Sequence, residues 1–310
     1  MILCCGEALI DMIPNADGAF MAHAGGAVFN TSIGLGRQGV AVSLVSGVST
    51  DLFGKVLEQS LQDSHVATTH LIRSDLPTTL AFVKLVDGKA SYAFYDENTA
   101  GRMIQPADFP IIPDVTKAMF FGGISLAVEP CADSYLDLLM RYTGQKLTVV
   151  DPNIRPSFIA DEPRYRARMS QVLKHADIIK ISDEDLNWWD RSNRDINDKA
   201  TAFLSDKTKW VCLTLGDKGV RSFRMKAEPI EVAAPRQTVI DTVGAGDAFN
   251  AGLLTMLDRK KALSANAISS LGDTDLKQVL SFATAFAADT VARAGSDPAW
   301  NFGQQSNARR

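Results

Sequence analysis

The sequence is poor in the features that would assign it at once. Cysteines number four, and Cys4, Cys5, Cys131 and Cys212 show no metal-ligand spacing. Cys4-Cys5 lies in an apolar run and reads as strand core. Free cysteines without a secretory signal predict a reducing, cytoplasmic setting. Histidines also number four; His23, His65, His70 and His175 are far apart in the chain, and no H-E-x-x-H occurs, so no histidine metal site is expected. The absence of G-x-x-x-x-G-K-[ST] excludes a P-loop kinase. The N-terminal apolar segment is broken by Gly6, Glu7 and Asp11, so it is neither a signal core nor a membrane span. Net charge is only −4, which leaves no basic footprint for nucleic acid or an anionic membrane. No internal repeat or low-complexity stretch is present, and the tail beyond Pro298 is polar.

What is present is an ordinary globular composition over 310 residues, 46% hydrophobic and 22% charged. That length permits one large α/β domain or two smaller ones, with a core that needs no disulfide. Short β-type runs at Ile2–Cys5 and residues 42–46, 118–121, 147–150, 178–181 and 211–215 read as buried strands. Helical patterns follow at 29–37, 52–61, 132–142 (behind Pro130), 163–175, 200–204, 248–257 and 276–292. This alternation predicts a mostly parallel sheet covered by helices on both faces, with ligands beyond the carboxyl ends of the strands. One region departs from it. Residues 79–86 and 90–95 are β-type runs joined by Asp87-Gly88-Lys89, a hairpin signal. With 11–13 and 19–21 they predict a small separate sheet, either a lid over the site or a plain surface hairpin.

The most informative segment is Asp241-Thr242-Val243-Gly244-Ala245-Gly246-Asp247. Small residues ahead of a helix let its unpaired first amides approach a ligand, and the helix dipole favours an anion there. Asp247 adds a proton acceptor, so the segment suggests phosphoryl transfer. A carboxylate at a helix N-terminus is expected to titrate low. Gly34-Leu-Gly-Arg-Gln-Gly39 matches G-x-G-x-x-G, but its glycines end a helix instead of opening one; Gly39 reads as a C-cap, not part of a nicotinamide site. Gly25-Gly26-Ala27-Val28-Phe29-Asn30 is a tight turn entering a helix, either a ligand approach or a simple capped turn. Asp11 follows strand one. Arg155, in Asp151-Pro152-Asn153-Ile154-Arg155, leaves a strand's carboxyl end and is suited either to phosphate or to a surface ion pair. Thr214-Leu215-Gly216-Asp217-Lys218-Gly219 suits a nucleotide loop or an ordinary hairpin turn.

Together these segments resemble the ribokinase-like, or PfkB, carbohydrate kinases over nearly the whole chain. The most specific pieces are Gly25-Gly26-x-x-x-Asn30, with Gly47 and Gly54 behind it, and Asp241-Thr-Val-Gly-Ala-Gly-Asp247. Gly6-Glu-Ala-Leu-Ile-Asp11 and Asp151-Pro-Asn-Ile-Arg155 are most similar to bacterial fructokinases. The resemblance implies a single kinase domain over 1–310, a three-layer α/β/α fold with a mostly parallel sheet, and a β lid from about 11–24 and 77–101. It implies ATP-dependent phosphorylation of a hexose, foremost fructose to fructose 6-phosphate, with 2-keto-3-deoxygluconate kinase and a non-catalytic sugar or nucleotide sensor as alternatives. In it, Asp247 is the base and the amides of Gly244, Ala245 and Gly246 form the anion hole, with Arg155 near sugar or phosphate. Asp11, Gly25, Gly26 and Asn30 bind the sugar, while Thr214, Gly216, Asp217, Gly219 and Thr284 line the nucleotide. Mg²⁺ is implied near Asp185, in a Ser182-Asp-Glu-Asp185 stretch that replaces the family's Asn-x-x-Glu. A monovalent cation such as K⁺ is implied at Asp241 and near Val243, Arg293 and Gly295. Ala27-Val28, where ribokinases tend to carry Lys-Gly, argues against ribose. An exposed lid sheet also suggests pairing into a homodimer.

Overall fold

The computed structural model describes residues 1–15, 17–86, 89–293 and 295–303. Its elements run β1 (Ile2–Cys5), β2 (Leu9–Pro14), β3 (Phe20–Gly25), α1 (Ala27–Arg37), β4 (Val42–Val45), β5 (Gly47–Ser49), α2 (Leu52–Asp63), β6 (Ile72–Ser74), β7 (Leu80–Val86) and β8 (Lys89–Tyr95). They continue with β9 (Ala118–Gly122), α3 (Cys131–Tyr142), β10 (Leu147–Asp151), α4 (Glu162–Lys174), β11 (Ile178–Ser182), α5 (Asp183–Trp189), α6 (Ile196–Thr201) and β12 (Trp210–Thr214). The last are β13 (Val220–Phe223), β14 (Ile230–Val232), α7 (Ala245–Arg259), α8 (Ala265–Ser269) and α9 (Asp273–Val291).

Side chains alternate across a strand, so each buried strand feeds two cores. Ile2 and Cys4 join a core completed by α1, α2, α7, α8 and α9. Leu3 and Cys5 join the other, closed by α3 to α6. Between the two lies a sheet of order β14-β13-β12-β11-β10-β9-β1-β4. It is parallel from β4 to β12, with β13 and β14 antiparallel at one edge. The result is the three-layer α/β/α arrangement. All four cysteines are buried and free, and none of the described helices is long and apolar enough to cross a membrane.

A second sheet of order β3-β2-β7-β8 stands apart from the first. Its strands are the four β-type runs expected around 11–21 and 79–95. Val86 pairs with Lys89 across the hairpin; Asp87 and Gly88 themselves lie outside the described residues. Phe94 of this sheet meets Phe158, beyond the end of β10, with ring centroids 3.9 Å apart.

Some sequence expectations shift. The helix expected at 200–204 is α6, which starts earlier because the Asp195 carboxylate caps the Asn197 amide at 2.8 Å. The strand expected to reach Leu215 stops at Thr214. α5, β5, β6, α8 and β14 are too short for their periodicity to stand out. Pro130 is the N-cap of α3, one place before the helix proper.

Close helix packing brings the two ends of the chain together. A Cβ on Gly34 of α1 would lie 2.7 Å from Ala251 Cβ of α7, so a larger residue would push the helices apart. α1 then closes as a Schellman motif, with the Gly39 amide on the Gly36 carbonyl and the Val40 amide on that of Leu35. The G-x-G-x-x-G pattern therefore serves packing and helix termination, as its context in the sequence indicated.

Candidate active site

Both α1 and α7 start at a glycine that no other residue replaces cheaply. Gly26 caps α1 at φ +109°, and Gly244 caps α7 at φ +79°, in the left-handed region. The two ends lie side by side. Asn30, buried in the first turns of α1, donates from Nδ2 to Asp247 Oδ2 at 2.9 Å. Thr31 donates to the Asp247 carbonyl at 3.3 Å.

Their amides differ in state. At α1, Ala27 donates to Glu7 Oε1 at 3.0 Å and Phe29 to the Glu7 carbonyl at 3.2 Å. Glu7 also accepts from the Ser125 amide at 3.3 Å, so it fastens β1, α1 and the loop after β9. Burial nonetheless pushes its pKa up. At α7, by contrast, the amides of Gly244, Gly246 and Asp247 have no acceptor among the described residues, and Ala245 makes only a 3.4 Å bond to the Thr242 carbonyl. The turn is a cradle of unpaired amides at the positive end of a 15-residue helix.

Asp247 closes this cradle. The low titration expected for a helix N-terminus is not what the structure gives: burial pushes its pKa up to about 7. The Asn30 bond opposes that shift, the Asp151 charge adds to it, and Lys180 and Arg155 oppose it. Desolvation outweighs the dipole because the carboxylate is sealed inside the fold instead of facing water. A carboxylate of this kind is a competent base near neutral pH.

The floor of the cradle comes from β10 and β11. Lys180 Nζ donates to Asp151 Oδ2 at 2.9 Å, and Asn250 of α7 donates to the same oxygen at 2.7 Å. Although burial disfavours its charge, Asp151 beside it holds the Lys180 ammonium above the ordinary lysine range. Sequence reasoning missed Glu7, Lys180 and Asn250 as site residues, and treated Asp151 only as part of a motif. A charged residue inside the apolar run of β11 was the available signal for Lys180.

Asp185 lies on the same side. Ser182 caps α5 by accepting the Asp185 amide at 3.0 Å, which accounts for the Ser-x-x-Asp spacing. Asp185 Oδ1 accepts from the Ile154 amide at 3.1 Å. Burial first, and the Asp151 charge second, push its pKa up to about 6. Arg155 is exposed beside it, its guanidinium on the Ile154 carbonyl at 3.2 Å, and its charge reaches both Asp185 and Asp247. A hard divalent ion fits a site with one such buried carboxylate if phosphate and water complete its shell. Among the described residues no group of three or more His, Cys, Asp or Glu side chains is placed to hold a metal alone.

The remaining expected residues fall in two places. Asp11 sits on β2 opposite His23, with burial raising its pKa to about 6. Any side chain on Gly25 would strike the Asp11 carboxylate, so the glycine makes room for the acid. Thr214 ends β12, and Gly216, Asp217 and Gly219 form the turn into β13, with Asp217 exposed. Thr284 is buried in α9, its hydroxyl without a partner among the described residues. Asp241 ties two loops together by accepting the Val243 amide at 3.0 Å and the Gly295 amide at 2.9 Å. Arg293 is close by in the chain, its side chain directed to Asp289 and the Asp297 carbonyl.

Comparison with known proteins agrees with this geometry. A fructokinase of Rhizobium leguminosarum bv. trifolii is 43% identical over 281 residues, 89% of this chain and 86% of the relative. A probable fructokinase of Arabidopsis thaliana is 30% identical, covering 96% of this chain and 93% of the relative. The ATP-bound fructokinase structure from Xylella fastidiosa superposes with a TM-score of 0.88 at 28% identity, over 95% of this chain and 93% of that one. The family model described as pfkB family carbohydrate kinase matches residues 1–301. With that match, and with a relative 43% identical over 89% of this chain, the chain belongs to the pfkB family of carbohydrate kinases.

Proposed function

We propose that the protein transfers the γ-phosphoryl group of ATP to a hydroxyl of fructose, giving fructose 6-phosphate and ADP. The observation that carries this reading is the open amide turn of α7 with the Asp247 carboxylate inside it, held by Asn30 at 2.9 Å. Asp247 takes the hydroxyl proton, the freed oxygen bonds to phosphorus, and the bond to the ADP oxygen breaks. The amides of Gly244, Ala245 and Gly246 hold the charge on the transferring group through fixed dipoles in a dry site. The names of the relatives support fructose as the sugar.

Asp11, Gly25, Gly26 and Asn30 bind the sugar between the small sheet and α1, and Arg155 closes the rim. Thr214, Gly216, Asp217, Gly219 and Thr284 line the nucleotide. Asp185 holds Mg²⁺, which supplies positive charge against the ATP phosphates. Asp241, with carbonyls near Val243, Arg293 and Gly295, offers oxygen ligands to K⁺; its two amide bonds already fix the loop that leads into Gly244. The small sheet acts as a lid, and the Phe94–Phe158 contact supports a closed position. Its aromatic row of Phe20, Phe82 and Tyr95, with Phe20 and Tyr95 exposed, supports pairing of two copies through this sheet. A sedimentation measurement of Tyr95→Glu against the parent protein checks that pairing.

The test of function is sugar-dependent ADP release across a panel of hexoses and 2-keto-3-deoxygluconate. Fructose is expected to give the highest kcat/KM. Preference for 2-keto-3-deoxygluconate would assign Arg155 to a substrate carboxylate instead, and no sugar-dependent release would make the protein a sensor on this fold.

A further inference from the structure

The buried ammonium beneath the anion cradle is used by none of the steps above. Lys180 comes from β11, and its side chain is only 6% exposed. Its nitrogen lies 3.0 Å from the place a Cβ would occupy on Gly246. The absent side chain of Gly246 is therefore what lets a full positive charge stand directly below the turn whose amides are open. Asp151 Oδ2 anchors the ammonium, and Asn250 grips the same oxygen from α7. The strand pair and the helix that carries the cradle are thus locked through one carboxylate. Asn250 Oδ1 has no partner among the described residues. Buried ion pairs contribute little to stability in general, because desolvation offsets their attraction.

We propose that Lys180 is a positioning residue for phosphoryl transfer, its ammonium reinforcing the Gly244–Asp247 cradle from below and fixing the α7 turn through Asp151 and Asn250. This rests on the kinase reading given above. Lys180 has Asp151 as its hydrogen-bond partner, and it acts on the cradle through Gly246 and on the base through Asp247. The groups facing Asp247 are Asn30 from α1, Asp151 from β10, Arg155 from the loop after it and Lys180 from β11. The Asp185 charge of α5 also favours the Lys180 ammonium. Asp151 disfavours ionised Asp247, whereas Lys180 and Arg155 favour it. Loss of the ammonium therefore weakens the anion cradle and moves the ionisation of Asp247 to higher pH.

Two variants test this in the full-length protein. Lys180→Met removes the charge at similar length but strands Asp151. Lys180→Met with Asp151→Asn removes both charges and leaves an amide for Asn250, so it keeps the proposal testable if the single variant misfolds. In the folded double variant, kcat with fructose is expected to fall about 10–100-fold, a loss below that of a direct oxyanion donor. KM for fructose is expected to stay within about threefold, because the sugar contacts lie on α1 and the small sheet. ATP affinity, read by calorimetry without turnover, is expected to fall about tenfold, a change of about 1.4 kcal/mol. Lys180→Arg, which keeps the charge, is expected to recover part of kcat. A double variant with kcat and ATP affinity both within about twofold of the parent would overturn the proposal, leaving the ammonium as a mere counterion of Asp151. If the parent turns over no sugar, the kinase reading fails on that result alone, whereas unchanged ATP affinity and kcat in the double variant of an active parent overturn only the role of Lys180.

Discussion

The start of α1 and the start of α7 look alike in sequence, with small residues, a glycine cap and a polar residue a turn inside. In the fold they are used differently. Glu7 takes up two amides of α1, that of Ala27 with its carboxylate and that of Phe29 with its carbonyl, while those of Gly26 and Val28 have no acceptor among the described residues. The amides of α7 are left open beside a buried acid. The Gly244–Gly246 turn is only half-buried, so water solvates its amides until a ligand replaces it, whereas the Ala27 and Phe29 amides are already committed to the fold. The Asn30–Asp247 bond joins them, and the closed end thereby positions the base of the open one.

Substitutions at the two ends should separate these roles, and the largest effect belongs to Asp247. Asp247→Asn is expected to lower kcat by a factor on the order of 10² or more, with ATP affinity by calorimetry largely kept. Near-parental turnover would remove Asp247 as the base. Gly244→Ala comes next. It forces a non-glycine residue to φ +79° and sets a Cβ 2.5 Å from Ser296 Cβ, so kcat/KM is expected to fall about tenfold or more by distortion of the cradle. Glu7→Ala at the closed end should do the reverse. Leaving the Ala27 and Ser125 amides unpaired is expected to cost about 1–3 kcal/mol in urea unfolding, with kcat in the folded fraction changed less than about fivefold. A loss of turnover without loss of stability there would erase the contrast between the two ends.

Acidity provides a subtler test of the same contrast. Asp247 must be ionised to act, so kcat/KM, which reports the free enzyme, is expected to decline as pH falls through about 7, where burial places its pKa. The stability consequence has the opposite sign. The folded state keeps this proton to higher pH than the unfolded chain, so its contribution is full below about 4 and is lost as pH rises through about 7. Asp247→Asn, which cannot ionise, is therefore expected to melt above the parent at pH 8, with the gap closing towards pH 4. Smallest of all is Phe158→Ala, which removes the Phe94 contact. It is expected to raise KM for the sugar about two- to fivefold with kcat little changed.

Much of this was legible in the sequence because it was local. The β/α alternation, the extra strands around 11–21 and 79–95, and the Gly-Ala-Gly-Asp turn each depend on neighbouring residues. Lys180, Asp151 and Asn250 were not read together because 29 residues separate the first two and 99 separate Asp151 from Asn250; the pairing of β10 with β11 and the seating of α7 against them unite them. Glu7 was hidden for the same reason, since its partners lie 20 and 118 residues away. The direction of the Asp247 shift was misread because the helix dipole is a local property, while the burial that outweighs it is made by the whole fold. Helix α6 was misplaced because its start is set by the Asp195 cap and not by apolar spacing.

The contrast between the two helix ends is tested most directly by following backbone amides in ¹⁵N spectra as a non-hydrolysable ATP analogue is added with Mg²⁺ and fructose. Large shifts and slowed hydrogen exchange are expected at Gly244, Gly246 and Asp247, with Ala27 and Phe29 keeping their exchange rates. Unmoved α7 amides, or protection appearing instead at Ala27 and Phe29, would contradict the assignment of the phosphate to the open end.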